Sequence, residues 1–180
     1  MIIYSMQNIF LTLIIIILLT QSIWAKESNT EKLGDILQVA IPAIGYGATL
    51  YLDDQEGQNQ FYKSFGTNIA ITYALKYSIN KKRPNGGKYS FPSGHTSSAF
   101  QGASFINQRY GIEYGIPAYI GAIFVGYSRV EAEAHYPVDV VSGAFIGTLS
   151  SMYFTTSYKG YKLEVKRMGS GYGLQVEKKF

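Results

Sequence analysis

The sequence predicts an all-α protein: a compact, membrane-embedded bundle of about five core helices behind an N-terminal hydrophobic helix or signal, with a small C-terminal β-hairpin. Three observations lead there. At 180 residues there is room for one domain of ordinary size. Hydrophobic residues make up 47% and charged residues only 16%, too apolar for disorder and lean in charge for a freely soluble protein. Five apolar segments are separated by short loops rich in Gly, Asn, Pro and charge. Mean hydropathy is only +0.01, and the N-terminal run raises it, so membrane association has to be argued segment by segment.

The first element is Ile9 to Ile23, IFLTLIIIILLTQSI, followed by Trp24, Ala25 and the charged stretch KESNTEK. About 15 apolar residues suit a signal core, while a retained anchor needs roughly 20. The leading residues MIIYSMQN contain no Lys or Arg and the cleavage site is only fair, so signal and anchor both stay open. Either way, Lys26 onwards is expected outside the cytoplasm.

Five helices are expected over Ile36 to Leu52, Phe65 to Ile79, Thr96 to Asn107, Tyr114 to Tyr127 and Val138 to Phe154. Stretches such as AIPAIGYGATL and SGAFIGTLSSMYF space small residues closely, which lets helices approach one another in a membrane or a tight bundle. At 1.5 Å per residue these segments give on the order of 20–25 Å, short of a hydrocarbon core of ~30 Å, and a soluble bundle is the alternative. The segments DDQEGQNQ, NKKRPNGGKYSFP, NQRYGIEYG and SRVEAEAHYP read as loops, and the tail alternates around a Gly-Ser-Gly turn, as a hairpin does. The chain thus divides into a leader or anchor at 1–25, a helical domain at 26–157 and a basic tail at 158–180.

With no cysteine, disulfides, thiol nucleophiles and Cys-ligated metals are out, and two histidines remain for acid–base work. The net charge of +4 attracts anions, but no basic helix carries interleaved aromatics, so nucleic acid is not expected as a partner. Helix direction sorts the remaining candidates. If the second helix ends near Asn80, the third begins near Ser93 on the same side, and the fourth returns there at Ser128 and Arg129. One face therefore collects Lys76, Arg83, Ser93, Gly94, His95, Arg129, His135 and Asp139, and the opposite face has no histidine.

These residue types suit one task, holding and transferring a phosphoryl group. Lys76, Arg83 and Arg129 can neutralise its oxygens, the arginines in bidentate fashion. Ser93 and Gly94 fall at a helix N-terminus, where free N–H groups favour an anion. In HYPVD, Pro137 opens a helix, which brings Asp139 within reach of the His135 ring and can make that histidine a nucleophile. His95 is then free to protonate the leaving oxygen. Each signal alone has a bland reading: a Ser-Gly-His turn is usually a cap, HxxxD a helix start, Lys and Arg before Pro-Asn-Gly-Gly a solvated loop. Arg129 could merely pair with Glu131 or Glu133. Their joint occurrence on one face is what the bland readings do not explain.

Three ordered motifs, KYSINKKRP (Lys76 to Pro84), PSGH (Pro92 to His95) and SRVEAEAHYPVD (Ser128 to Asp139), resemble the signatures of the type 2 phosphatidic acid phosphatase superfamily, which also includes bacterial nonspecific acid phosphatases and vanadium haloperoxidases. The resemblance implies a helical, metal-independent phosphatase without cofactor. His135 would be the nucleophile that forms a phosphohistidine, Asp139 would orient it and His95 would be the general acid. Lys76, Arg83, Ser93, Gly94 and Arg129 would bind phosphate. The apolar segments and basic tail are similar to members acting on lipid phosphates, among them lipid A, undecaprenyl pyrophosphate and phosphatidylglycerophosphate phosphatases. The expected partners are a lipid phosphate and a membrane, with the site facing the periplasm from a bacterial inner membrane. A soluble periplasmic acid phosphatase is the alternative enzyme, and a membrane scaffold on a phosphatase framework the non-enzymatic one.

Overall fold

The computed structural model describes residues 28–158, together with the backbone of 161–168 and 171–178. The expected signal or anchor at 1–25 lies outside the described residues. Five helices follow in order: α1 (Asn29–Tyr51), α2 (Gln55–Ile79), α3 (Gly94–Tyr110), α4 (Ile112–Glu131) and α5 (Pro137–Phe154). Strands β1 (Tyr161–Met168) and β2 (Gly171–Lys178) then pair antiparallel, Tyr161 opposite Lys178, as the alternation in the tail predicts.

The helices are longer than the apolar segments suggest, because local caps extend them through polar sequence. Ser28 Oγ accepts the Glu31 N–H and starts α1 well before Ile36. Asp54 accepts the Gly57 N–H and starts α2 inside DDQEGQNQ, so most of that expected loop is helix. Asn80 ends α2 in the left-handed conformation, φ 45°, which Asn tolerates better than most residues. Helices of 17 to 25 residues are about 25–38 Å long, enough to approach or exceed a hydrocarbon core of ~30 Å.

Helix α3 is the central element and packs against the other four, most extensively against α5. Its approach to α5 is close because Gly143 and Gly147 face it. A Cβ on Gly143 would stand 2.4 Å from the Ser93 carbonyl oxygen, and one on Gly147 2.2 Å from that of Ser97. On the α1 side, a Cβ on Gly102 would meet the Pro42 backbone at 2.6 Å. These contacts fix helix spacing at the backbone itself, as small residues do between membrane helices.

Small polar side chains share the interior with two apolar clusters, one around Ile41, Ala99 and Val125 and one around Phe61, Phe65 and Phe105. Ser64, Thr72, Ser97, Gln101, Ser104 and Ser151 are buried between helices. Large apolar residues instead face outward: Ile36 and Ile44 on α1, Ile116, Ile120 and Ile123 on α4, Val141, Phe145 and Leu149 on α5. An apolar surface this extensive marks contact with a membrane or another apolar partner. Among the described residues one helix, α1, is long and apolar enough by composition to cross a membrane. The outward apolar faces and helix α1 fit membrane association.

The face away from the histidines is closed by a buried ion pair. Arg109 donates to both carboxylate oxygens of Asp54, Nη2 to Oδ1 at 2.5 Å and Nε to Oδ2 at 2.7 Å, and Nη1 donates to the Thr156 carbonyl at 2.8 Å. The guanidinium also lies over the Tyr158 ring, 5.3 Å from its centroid. One residue thereby ties the α1–α2 turn, the end of α3 and the chain leaving α5. The Arg109 side chain is 2% exposed, so Arg109→Leu strands a buried carboxylate and should cost about 3–5 kcal/mol. Unfolding of the detergent-solubilised variant measures this; an unchanged midpoint would show that the pair contributes nothing net.

Candidate active site

Five chain segments converge on a cavity of about 380 Å³ at the opposite end of the bundle. Lys76 reaches it from the last turn of α2, Arg83 from the loop after it, Gly94 and His95 from the first turn of α3, Arg129 from the last turn of α4, and His135 from the loop before α5. These are six of the eight residues singled out in the sequence. The other two stand behind the wall. Ser93 is fully buried as the cap of α3, accepting from Thr96 Oγ1 at 2.9 Å and from the Thr96 N–H at 3.4 Å. Asp139 is fully buried in the first turn of α5.

The α2–α3 loop is held in shape by its own backbone. The Arg83 N–H donates to the Gly87 carbonyl at 2.7 Å, and Gly86 sits at φ +90°, where a side chain would be strained. The Asn85 N–H donates to the Glu133 carbonyl at 3.1 Å, joining this loop to the one that carries His135. Lys76 Nζ donates to the Tyr89 carbonyl at 2.9 Å, and Arg83 Nε to that of Lys88 at 3.1 Å. Both cations are thus positioned by uncharged carbonyls, which leaves their charge for an anion in the cavity.

His135 is 1% exposed, and its Nδ1 has no hydrogen-bond partner. Burial first, then the positive charges of Arg83, Lys76 and His95, push its pKa down to about 2 from an ordinary value near 6.5. At neutral pH the imidazole is uncharged, so one ring nitrogen carries a lone pair. The hydrogen bond expected from His135 to Asp139 is not made. Asp139 Oδ2 lies 3.9 Å from Nδ1 and is taken by Ser90 Oγ at 2.5 Å and the Tyr136 N–H at 3.1 Å, while Lys81 Nζ takes Oδ1 at 2.7 Å. Asp139 is therefore a hub that joins the α2–α3 loop to α5, with its charge close beneath His135.

His95 and Arg129 share a partner from α1 that sequence reasoning missed. Asp35 Oδ1 is 3.1 Å from His95 Nε2 and 2.7 Å from Arg129 Nη1. Arg129 is further fixed by the Glu31 carbonyl at 2.7 Å and Ser128 Oγ at 3.0 Å. Helix α1 passes so near that a Cβ on Gly34 would stand 2.0 Å from Ser128 Oγ. The pairing of Arg129 with Glu131 or Glu133, the bland alternative for this residue, is not the one made. The available signal was a lone carboxylate in LGDILQVAIPAIGYG, since an ionisable residue in an apolar helix marks function by default. Lys81 and Ser90, the other residues missed, lie inside NKKRPNGGKYSFP without a pattern of their own.

An uncharged buried imidazole, three cations and a second histidine held by a carboxylate can bind a phosphate and receive its phosphoryl group. Among the described residues, no group of three or more His, Asp or Glu side chains is arranged to hold a metal ion.

Residues 9–162 match the model of the PAP2 superfamily. The chain is 34% identical over 172 residues to lipid A 1-phosphatase of Porphyromonas gingivalis, covering 83% of this chain and 36% of that protein. It is 29% identical over 144 residues to phosphatidylglycerophosphatase B of Bacillus subtilis, covering 71% and 68%. The chain thus spans about a third of the first relative's length and two thirds of the second's. In fold it is similar to the crystal structure of Aquifex aeolicus LpxE, with a TM-score of 0.54 and 23% identity over 66% of this chain and 82% of that one. With the family model matching most of its length and the three motifs meeting at one cavity, the chain belongs to the PAP2 superfamily.

Proposed function

We propose that the protein is a membrane-embedded, metal-independent phosphatase that removes phosphate from a lipid-linked phosphate or pyrophosphate through a phosphohistidine on His135. The observation that carries this reading is the buried, uncharged His135 facing a cavity lined by Lys76, Arg83 and Arg129, with His95 on the same cavity. The relatives named lipid A 1-phosphatase and phosphatidylglycerophosphatase B favour a lipid phosphate as substrate. The outward apolar belt favours a substrate met within a bilayer over the soluble acid phosphatase reading.

In the first half-reaction Lys76, Arg83, Arg129 and the N–H groups opening α3 hold the phosphoryl oxygens. The unprotonated ring nitrogen of His135 attacks phosphorus, the ester P–O bond breaks, and the leaving oxygen takes a proton from His95. Asp35 holds one ring nitrogen of His95, which turns the other toward the leaving group. In the second half, neutral His95 takes a proton from water, the water oxygen attacks phosphorus and the P–N bond breaks. Inorganic phosphate leaves, and both histidines return to their starting states. The Asp139 carboxylate, 3.9 Å from His135, stabilises the cationic phosphoimidazole between the two steps.

His135→Ala should abolish turnover with every substrate. His95→Ala should slow a lipid phosphate by about 10²–10⁴-fold. With an aryl phosphate, whose leaving group needs no proton, phosphoenzyme should form at close to the normal rate. Asp35→Asn should follow the same pattern in milder form. Burst kinetics with both substrate types measure this, and equal losses on the two would remove His95 from the acid role.

Orthovanadate should inhibit, because it fills the phosphate position and accepts the His135 nitrogen. EDTA should not inhibit, since the three cations already supply the charge a metal brings to phosphoryl transfer. Activity lost with EDTA and restored with magnesium would overturn this mechanism.

The cavity is proposed to face the periplasm, with the tail from Tyr158 in the cytoplasm. The Tyr158 N–H is bonded to the Arg109 carbonyl at the end of the bundle away from His135, which supports opposite sides for tail and cavity. Six basic residues in the tail agree with the positive-inside tendency, although Lys81, Lys82, Arg83 and Lys88 run against it on the cavity side. A periplasm-active reporter should work after Lys26 and stay silent after Phe180; an active tail reporter, or release of the protein by carbonate, would support a soluble enzyme instead.

A further inference from the structure

The carboxylate beside His135 is already occupied. Asp139 is fully buried, with Lys81 Nζ on Oδ1 at 2.7 Å and both Ser90 Oγ, at 2.5 Å, and the Tyr136 N–H, at 3.1 Å, on Oδ2. A carboxylate has room for about four donors, so one place is left. His135 Nδ1 stands 3.9 Å from Oδ2 and has no partner of its own. That nitrogen is closed off inside the protein, so attack on phosphorus falls to Nε2, and in the uncharged ring the proton then sits on Nδ1. The result is a buried N–H about an ångström beyond hydrogen-bond distance from a carboxylate held elsewhere. Of the three donors now on Asp139, Lys81 is the one that can leave. The Tyr136 N–H is main chain at the start of α5, and Ser90 is fully buried. The Lys81 side chain is 32% exposed and rests over the Tyr136 ring, 4.3 Å from its centroid. Its carbonyl accepts the Ser90 N–H at 2.8 Å, so the backbone stays in place when the ammonium group moves into water.

We propose that Lys81 is a positioning residue that competes with His135 for Asp139 and thereby shortens the lifetime of the phosphohistidine. This rests on the phosphohistidine reading above and deepens it. In the resting site Lys81 holds the carboxylate off the uncharged imidazole. Once the P–N bond forms the ring is a cation, its Nδ1–H becomes a far stronger donor, and Asp139 turns to it from the ammonium group. No proton changes hands, since Lys81 stays an ammonium ion throughout. After water has cleaved the P–N bond the ring is uncharged again, and Lys81 reclaims Oδ1. Because the carboxylate is contested, it stabilises the intermediate without making it a trap. A neutral side chain at position 81 removes a nearby positive charge and releases the carboxylate, and both changes favour the cationic ring.

The test uses a labelled aryl phosphate and the full chain in detergent, comparing wild type, Lys81→Met, Lys81→Gln and Lys81→Arg. Phosphohistidine trapped in alkaline detergent during turnover, divided by the turnover rate, gives the lifetime of the intermediate. It should lengthen about 10-fold in the Met and Gln variants and return close to the wild-type value in Lys81→Arg, which keeps the competing cation. A merely structural role would lower trapped phosphate and turnover together and leave the lifetime where it was. An unchanged or shorter lifetime in the neutral variants overturns the proposal, as does an equal lengthening in Lys81→Arg. Loss of all turnover in both neutral variants makes Lys81 a part of the loop's fold and overturns it too. These three results leave the phosphohistidine reading standing. Absence of trapped phosphate and of a burst in wild type and every variant sinks both.

Discussion

The backbone contact between α3 and α5 sets the geometry of everything at the cavity end. Gly143 and Gly147 let α5 lie directly on the Ser93 and Ser97 carbonyls, and the Ser93 N–H donates to the Asp139 carbonyl at 2.9 Å. The first turns of the two helices are thereby locked side by side. His95 leaves one of them, and His135 immediately precedes the other. Side chains longer than hydrogen at the two glycines would separate the helices, and with them the histidines, by far more than the fraction of an ångström that phosphoryl transfer tolerates. Asp139 adds a second tie from the same turn, gathering Lys81, Ser90 and the Tyr136 N–H, so the cation-bearing loop is fastened to the helix that follows His135.

The small polar groups inside the bundle go with the same close packing. Where hydrocarbon surrounds helices it provides no hydrophobic drive to bring them together, and association then rests on contact and on hydrogen bonds between small polar groups. Thr72 with Ser97 at 3.0 Å, Gln101 with Ser64 at 2.9 Å and Ser98 with the Gln38 carbonyl at 3.2 Å are such bonds. An interior of this kind is already hospitable to a polar substrate. The cavity needs no separate polar lining, because the helix interfaces supply it.

The parts of this architecture that could be read from the sequence are those coded by contiguous residues. Pro137 at the first turn of α5 fixed the position of His135 and Asp139 relative to a helix start, and the PSGH segment did the same for α3. Helix direction then sufficed to bring six residues to one cavity. Three things were not legible. The polar start of α2 reads as a loop because Asp54 acts through a cap and through Arg109, 55 positions later. The role of Asp35 depends on Arg129, 94 positions away. And the preference of Asp139 for Ser90 and Lys81 over His135 is a matter of a rotamer and about an ångström, which spacing along a helix does not specify.

Asp35 also ties the competence of the site to the assembly of the chain. It lies on the first of the described helices and therefore leaves the ribosome before either group it later holds. Until α3 and α4 arrive, an ionised carboxylate in hydrocarbon has no compensation, so it must wait at the interface or wait protonated. Docking of Arg129 ends that wait and seats α1 against the Gly34 contact in the same event. A chain truncated or arrested before α4 consequently keeps its first helix unanchored and its cavity without Arg129, so partially made molecules lack a complete site.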